Sequence, residues 1–197
     1  MSYSHFETDC FILHGRNLRE ANRFLLLLSR EFGPIWAEAQ GVRKLQSKLR
    51  YNLQPFSKTK VTLIQGREVW RVVGARESVS YFELFKNEDE YRRLLQKLFT
   101  LSAKLLVGEE PRSDFFVIID SVVLFLNEKN DLTGEQLFAL ELFVVAQMLH
   151  TLGYLPDTLL DDSKLRQGIT ADALEVILEK KDEFLLSVNT ALNAAPI

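Results

Sequence analysis

Four cations, Arg43, Lys44, Lys48 and Arg50, fall within the eight residues RKLQSKLR, and no acid separates them. The nearest carboxylates are Glu38 before them and Glu68 after. Cations at this density repel one another unless a polyanion neutralises them. A run of one sign therefore fits phosphate contact better than it fits a mixed solubilising surface. Arg16, Arg19, Arg23, Lys58 and Lys60 recur nearby as candidate reinforcements. Trp36, Tyr51, Phe56 and Trp70 interleave with them, and rings beside a basic groove can stack on nucleic-acid bases. At least two of those four rings are expected to fill a core instead.

Other chemistry is sparse. His5, His14 and His150 lack metal-ligand spacing, and His150 on an apolar helix fits a satisfied core position better than a ligand. There is no Gly-rich phosphate loop and no Gly-x-Ser-x-Gly elbow. Cys10 is the one cysteine. It lies in an apolar stretch, where a small buried hydrophobe is the expected role. Asp161-Asp162 reads as a solvated acidic loop. The residues favour a binding protein over an enzyme, with no cofactor and no zinc.

The elements that must position the cations are β-like. FETDCFILH ends in an apolar run and meets a turn at Gly15. NRFLLLLSREFG follows, closed by Gly33-Pro34. Its neighbourhood LREANRFLLLLSREF also admits a helix, but the apolar run is continuous rather than amphipathic, so strand is preferred. IWAEAQGV places Ile35, Ala37 and Ala39 on one face and Trp36 on the other. TKVTLIQ and EVWRVVG flank a hairpin signal at Gly66-Arg67. Five short strands in fewer than 80 residues suggest an OB-fold barrel.

Beyond residue 78 the periodicity turns helical. Ser80–Glu83, Asn87–Glu90 and Thr133–Gln136 resemble capping boxes. An apolar stripe from Tyr91 to Leu105 should end at Gly108 and Pro111. Ser113 opens a helix to about Leu126, NEKND is a loop, and a nearly all-apolar helix after Thr133 stops at Gly153 and Pro156. Thr170 caps a last helix, Ala171 to about Asn189, that buries Leu174, Ile177, Leu178, Phe184 and Leu185. The expected fold class is α+β: an amino-terminal five-stranded OB-fold barrel in residues 1–78, then an all-α helical bundle in 79–197. A short linker is expected near Ala75–Ser80.

Charge divides along the same line. The 197-residue chain has a formal charge of -3, but residues 1–78 hold 13 basic and 7 acidic side chains, and the remainder 11 and 20. The first part thus invites a polyanion and the second would repel one. No secretory signal is evident, and the two longest apolar runs are broken by polar residues, so no membrane association and a cytoplasmic, nucleoid-associated location are expected.

The segment GRNLREANRFLLLLSREFGPIWAEAQGVRKLQSKLRYNLQPF, with the strand pair VTLIQGREVWRV, resembles the RecO family of bacterial recombination mediators. The matching features are Glu20, Ser29 to Gly33, Ala39 to Lys44, Ser47-Lys48 and Leu53-Gln54-Pro55-Phe56. The likeness is strong over residues 7–77, weaker over 80–160, and poor after Leu159. It implies a DNA repair and recombination role: binding of single- and double-stranded DNA, strand annealing, and help in loading RecA. It also implies association with RecR and with the acidic tail of the single-stranded-DNA-binding protein, SSB. Arg43, Lys44, Lys48, Arg50, Lys58, Arg23 and Arg19 are the expected DNA contacts. Arg92, Arg93, Lys97 and Lys104 are candidates for the SSB tail, although a solvated helix face accounts for them equally well. Many members carry a four-cysteine zinc module after the segment matching LGYLP. Here TLLDDSKLRQGI stands in its place, without a cysteine. The alternative is an RNA-binding OB module with a helical scaffold, acting in translation or RNA processing; a weaker one is an adaptor whose basic face docks an acidic protein.

Overall fold

The computed structural model describes residues 4–67, 69–106, 113–129 and 131–195. Two compact units divide the chain: Met1–Arg92 with Leu106–Phe116, and Arg93–Leu105 with Val117–Ile197.

The first unit is built on five strands: β1 (His5–Leu18), β2 (Asn22–Ser29), β3 (Gly33–Ala39), β4 (Ser57–Gln65) and β5 (Trp70–Ser80). They close in the order β1-β2-β3-β5-β4, with β3 and β5 parallel and the other pairs antiparallel. This is the barrel expected from the strand pattern, and closure leaves no unpaired edge. Inward side chains alternate along each strand: Cys10 and Ile12, Leu25 and Leu27, Ile35, Ala37 and Ala39, Val61 and Leu63, and Val72. The run Leu25–Leu28 is buried on both faces, which is why it lacks amphipathic alternation and is not a helix.

Two expectations need correction here. Gly15 is not a turn but lies inside β1, opposite Leu25. A Cβ there would sit 2.7 Å from Leu25 Cδ2, so any larger residue would have to displace that buried side chain. The expected linker at Ala75–Ser80 is the end of β5, paired with β4 through Ala75↔Val61, Arg76↔Lys60 and Ser80↔Ser57. The pairing shifts register between Lys58 and Lys60, and Glu77 opposite them has φ 53°.

Short helix α1 (Leu49–Asn52) lies between β3 and β4, and α2 (Tyr81–Leu84) follows β5. Ser80 makes no side-chain cap on α2, so the box expected there is not formed. Helical residues of this unit cover one end of the outer barrel face: the Phe11 ring lies 4.7 Å from Phe116 and 6.2 Å from Tyr81.

Helices α3 (Asp89–Leu105) and α4 (Ser113–Glu128) contribute to both units; α5 (Gly134–Thr151), α6 (Ala171–Glu179) and α7 (Lys181–Ala194) belong to the second. Gly108, Pro111 and Asn130, assigned from sequence to a helix end and a loop, lie outside the described residues. Asn127 and Glu128 of the expected loop instead complete α4. In the second unit α5 is the central element, with ten buried side chains from Leu137 to Leu149. Thr133 accepts from the Gln136 amide, and Gln136 accepts in return from the Thr133 amide, forming the capping box read from the sequence. At the other end Gly153 (φ 81°) donates to His150 and Tyr154 to Leu149, a Schellman motif. Thr170 caps α6 through the Ala173 amide. The last helix is two helices, broken at Lys180 (φ -102°, ψ 22°). Leu174, Ile177 and Phe184 are buried, whereas Leu178 and Leu185 are half-buried.

Candidate nucleic-acid interface

Residues 40–56 connect β3 to β4 and hold the basic island. They are anchored from within. Val42 (1% exposed) and Leu53 (0%) belong to the barrel core, and Leu49 packs against it. The amide of Lys44 donates to Gly41, that of Ser47 to Lys44, and that of Arg50 to Ser47, so the segment advances in tight turns. Asn52 Nδ2 fixes its far end to the Ala75 carbonyl of β5 at 2.9 Å. Val42, Leu49 and Leu53 turn inward while Leu45 and Tyr51 stay exposed; Arg43, Lys44 and Lys48 are exposed, and Arg50 is half-buried. The segment stoppers the barrel and holds its cations outward.

The β1–β2 turn lies against this stopper. The Arg43 amide donates to Ala21 at 3.0 Å, and Arg43 Nη1 donates to the Arg19 carbonyl at 3.3 Å. Gly41 donates to Asn22 Oδ1 at 2.9 Å, and Asn22 Nδ2 donates to Glu38 at 2.7 Å. Arg19 thus joins Arg43 in one patch. It has φ 54°, a left-handed conformation that costs an arginine of the order of 1–3 kcal/mol, and strain of this kind collects at functional loops. Arg23 pairs with Ala39 at the start of β2 and is half-buried beside the same turn.

Lys58 is placed elsewhere. Its ammonium lies 5.7 Å from the centre of the Phe11 ring and 5.4 Å from that of Phe116, where the ring faces attract it. Lys60 pairs with Glu77 at 3.0 Å; the hydrogen bond and the opposite charge hold the lysine above its ordinary pKa and the glutamate below.

The four aromatic candidates separate as well. Trp70 packs against Phe6 and Phe32 at the core boundary. Phe56 meets Phe82 edge-on. Tyr51 is 78% exposed on α1, next to Arg50. Trp36 lies on the outer face of β3, stacked on Phe24 with centroids 5.0 Å apart and 11° between planes. Arg16, opposite Phe24 in the β1–β2 register, sits 5.2 Å from the Phe24 centroid. Phe24 was missed from sequence because it opens the uniform run FLLLL; the signal that finds it is its cross-strand pairing.

Three of the four cations on the first long helix line one open groove of about 480 Å³: Arg93, Lys97 and Lys104, with Gln96, Thr100 and Leu101. Lys97 pairs there with Glu141 at 2.8 Å. Arg92 is apart from it, paired with Asp89. The remaining polar candidates have structural partners: His150 bonds Asp157 at 2.7 Å, Asp161 pairs with Arg166, and Asp162 with Lys180 at 3.4 Å. Cys10 is fully buried, and burial pushes its thiol far above the ordinary range, with Asp9 and Glu31 adding to the shift. Among the described residues no group of three or more His, Cys, Asp or Glu could hold a metal ion, and no helix is long and apolar enough to cross a membrane.

Residues 1–77 match the family model described as Recombination protein O N terminal. A DNA repair protein RecO from Pelotomaculum thermopropionicum is 32% identical over 154 residues, 77% of this chain and 56% of that protein. One from Desulfitobacterium hafniense is 26% identical over 151 residues, 77% of this chain and 53% of that protein. One from Heliobacterium modesticaldum is 35% identical over 79 residues, 40% of this chain and 29% of that protein. The chain thus spans about half the length of the longer-matching relatives.

Proposed function

The chain belongs to the RecO family through its amino-terminal module, and we propose that it acts as a recombination mediator, binding single- and double-stranded DNA without catalysing a reaction. One observation supports this most: the apolar anchors Val42, Leu49 and Leu53 turn the cations of the β3–β4 connection outward, beside the β1–β2 turn that carries Arg19. In OB-folds the face of strands 2 and 3 with the β1–β2 and β4–β5 loops takes oligonucleotides, and the β1–β2 turn here lies against these cations.

The mechanism is electrostatic. Each phosphate neutralised by Arg19, Arg43, Lys44, Lys48 or Arg50 releases condensed counterions, so binding is salt-sensitive and nearly indifferent to sequence. Two strands held on one positive surface repel each other less, and annealing accelerates. The acidic second unit serves protein partners, RecR and the SSB tail; the groove of Arg93, Lys97 and Lys104 fits an acidic tail, and RecA is loaded through these contacts.

Competition binding tests the proposal. Affinities for single-stranded DNA, for RNA of the same sequence and for an SSB-tail peptide are measured at two salt concentrations. Tight, salt-dependent DNA binding with little preference for RNA is expected. RNA bound far more tightly than DNA would instead favour an RNA-processing role.

A further inference from the structure

The outer face of β1 and β2 carries aromatic residues at both ends, and the two ends differ. At one, Phe11 is covered by Phe116 and Tyr81 and is fully buried. At the other, Phe24 and Trp36 stack nearly parallel and are half-buried, with the Arg16 guanidinium beside Phe24. This second end adjoins the turn that carries Arg19, three residues beyond Arg16.

Glu38 decides what such a surface can take. It is the register partner of Phe24, and Asn22 holds its carboxylate at 2.7 Å. A fixed negative charge there repels a phosphate. An uncharged flat group meets no such penalty and can lie on the outer face of the Trp36 indole, which Phe24, itself between Trp36 and the Arg16 guanidinium, supports from behind. Phosphates are attracted to the neighbouring cations Arg19 and Arg43, so the backbone of a strand and its bases find separate places side by side.

We infer that Phe24, Trp36 and Arg16 form a stacking platform for an unpaired base, and that this platform gives the interface its preference for single strands over duplex. Bases in a duplex are stacked on each other and cannot lie on it. The inference rests on the nucleic-acid function proposed above and adds a division of labour: cations for affinity, the Phe24–Trp36 pair for strand state.

The test uses the full chain carrying Trp70→Phe, which leaves Trp36 as the one tryptophan. An oligothymidylate of about 12 nucleotides, within the span of one OB-fold, and the same strand annealed to its complement are each titrated at two salt concentrations. The single strand should quench Trp36 emission and the duplex should not. Trp36→Leu and Phe24→Leu should each weaken single-strand binding about tenfold or more, with duplex affinity and salt slope unchanged. Trp36→Phe, which keeps a ring, should retain most of the affinity. Should a leucine variant lose its fold by circular dichroism, Trp36 quenching and Arg16→Ala decide the matter. An unchanged ratio of single-strand to duplex affinity, or equal quenching by duplex, overturns the platform while the basic surface stands. Absence of salt-dependent binding to either form overturns both.

Discussion

Arg43 Nη1 donates to the backbone carbonyl of Arg19 at 3.3 Å, across 24 residues of chain. The Arg43 guanidinium is thereby held against the backbone of the β1–β2 turn that bears Arg19. The pairing makes Arg19 a constrained part of the surface rather than the tip of a free turn.

Arg19→Gly should separate folding from binding. Glycine relieves the left-handed strain but gains freedom in the unfolded chain, so the two effects oppose each other. Urea unfolding should shift by no more than about 1 kcal/mol. Single-strand affinity should fall several-fold, and the salt slope should shrink by about one unit. Unchanged affinity would remove Arg19 from the interface.

Lys44 and Lys48 are exposed, so Lys44→Ala/Lys48→Ala probes charge with little effect on packing. Binding to single strands and duplex should weaken together, with the slope of log affinity against log salt reduced by about two. Without nucleic acid the variant should melt no lower than the parent, because like charges have been thinned. A weakened single-strand affinity at unchanged salt slope would contradict this.

Cys10 makes stability depend on alkaline pH. Its ordinary value is 9.0, and burial raises it strongly in the folded state. Above about pH 9 the unfolded thiol loses its proton while the folded one keeps it, so the unfolded state binds fewer protons and stability falls as pH rises. Below that value both states are protonated and the contribution is constant. Cys10→Ala should flatten this limb of the stability curve relative to the parent. A thiol reagent that labels the native protein as fast as the denatured one would place Cys10 elsewhere.

Thr133→Ala should cost about 1 kcal/mol through loss of the cap on α5, while Thr133→Ser should retain most of it. The difference should appear as a melting shift of about 2–4 °C. Equal melting temperatures for Ala and Ser would mean that the box contributes nothing to the second unit.

The barrel was legible because its strands are short, bounded by turn residues, and alternate where one face meets water, as Ile35, Ala37 and Ala39 do against Trp36. Gly15 misleads, since a glycine facing the Leu25 side chain inside a strand looks the same in sequence as one in a turn. The end of β5 misleads because Ala75–Ser80 is short, polar and interrupted by a shift in register. The break at Lys180 carries neither glycine nor proline. The cations of the interface were legible as a run, but Phe24 and the latch from Arg43 to Arg19 depend on pairings between distant segments, which local periodicity does not encode.

The stopper formed by Val42, Leu49 and Leu53 has a thermodynamic consequence. A flexible basic tail loses conformational entropy when a polyanion orders it, and that loss is subtracted from its affinity. Here folding has already fixed the backbone that bears Arg43, Lys44 and Lys48. On the proposed function this surface would meet a nucleic acid with its backbone already ordered, leaving the cationic side chains and the nucleic acid to be ordered on association.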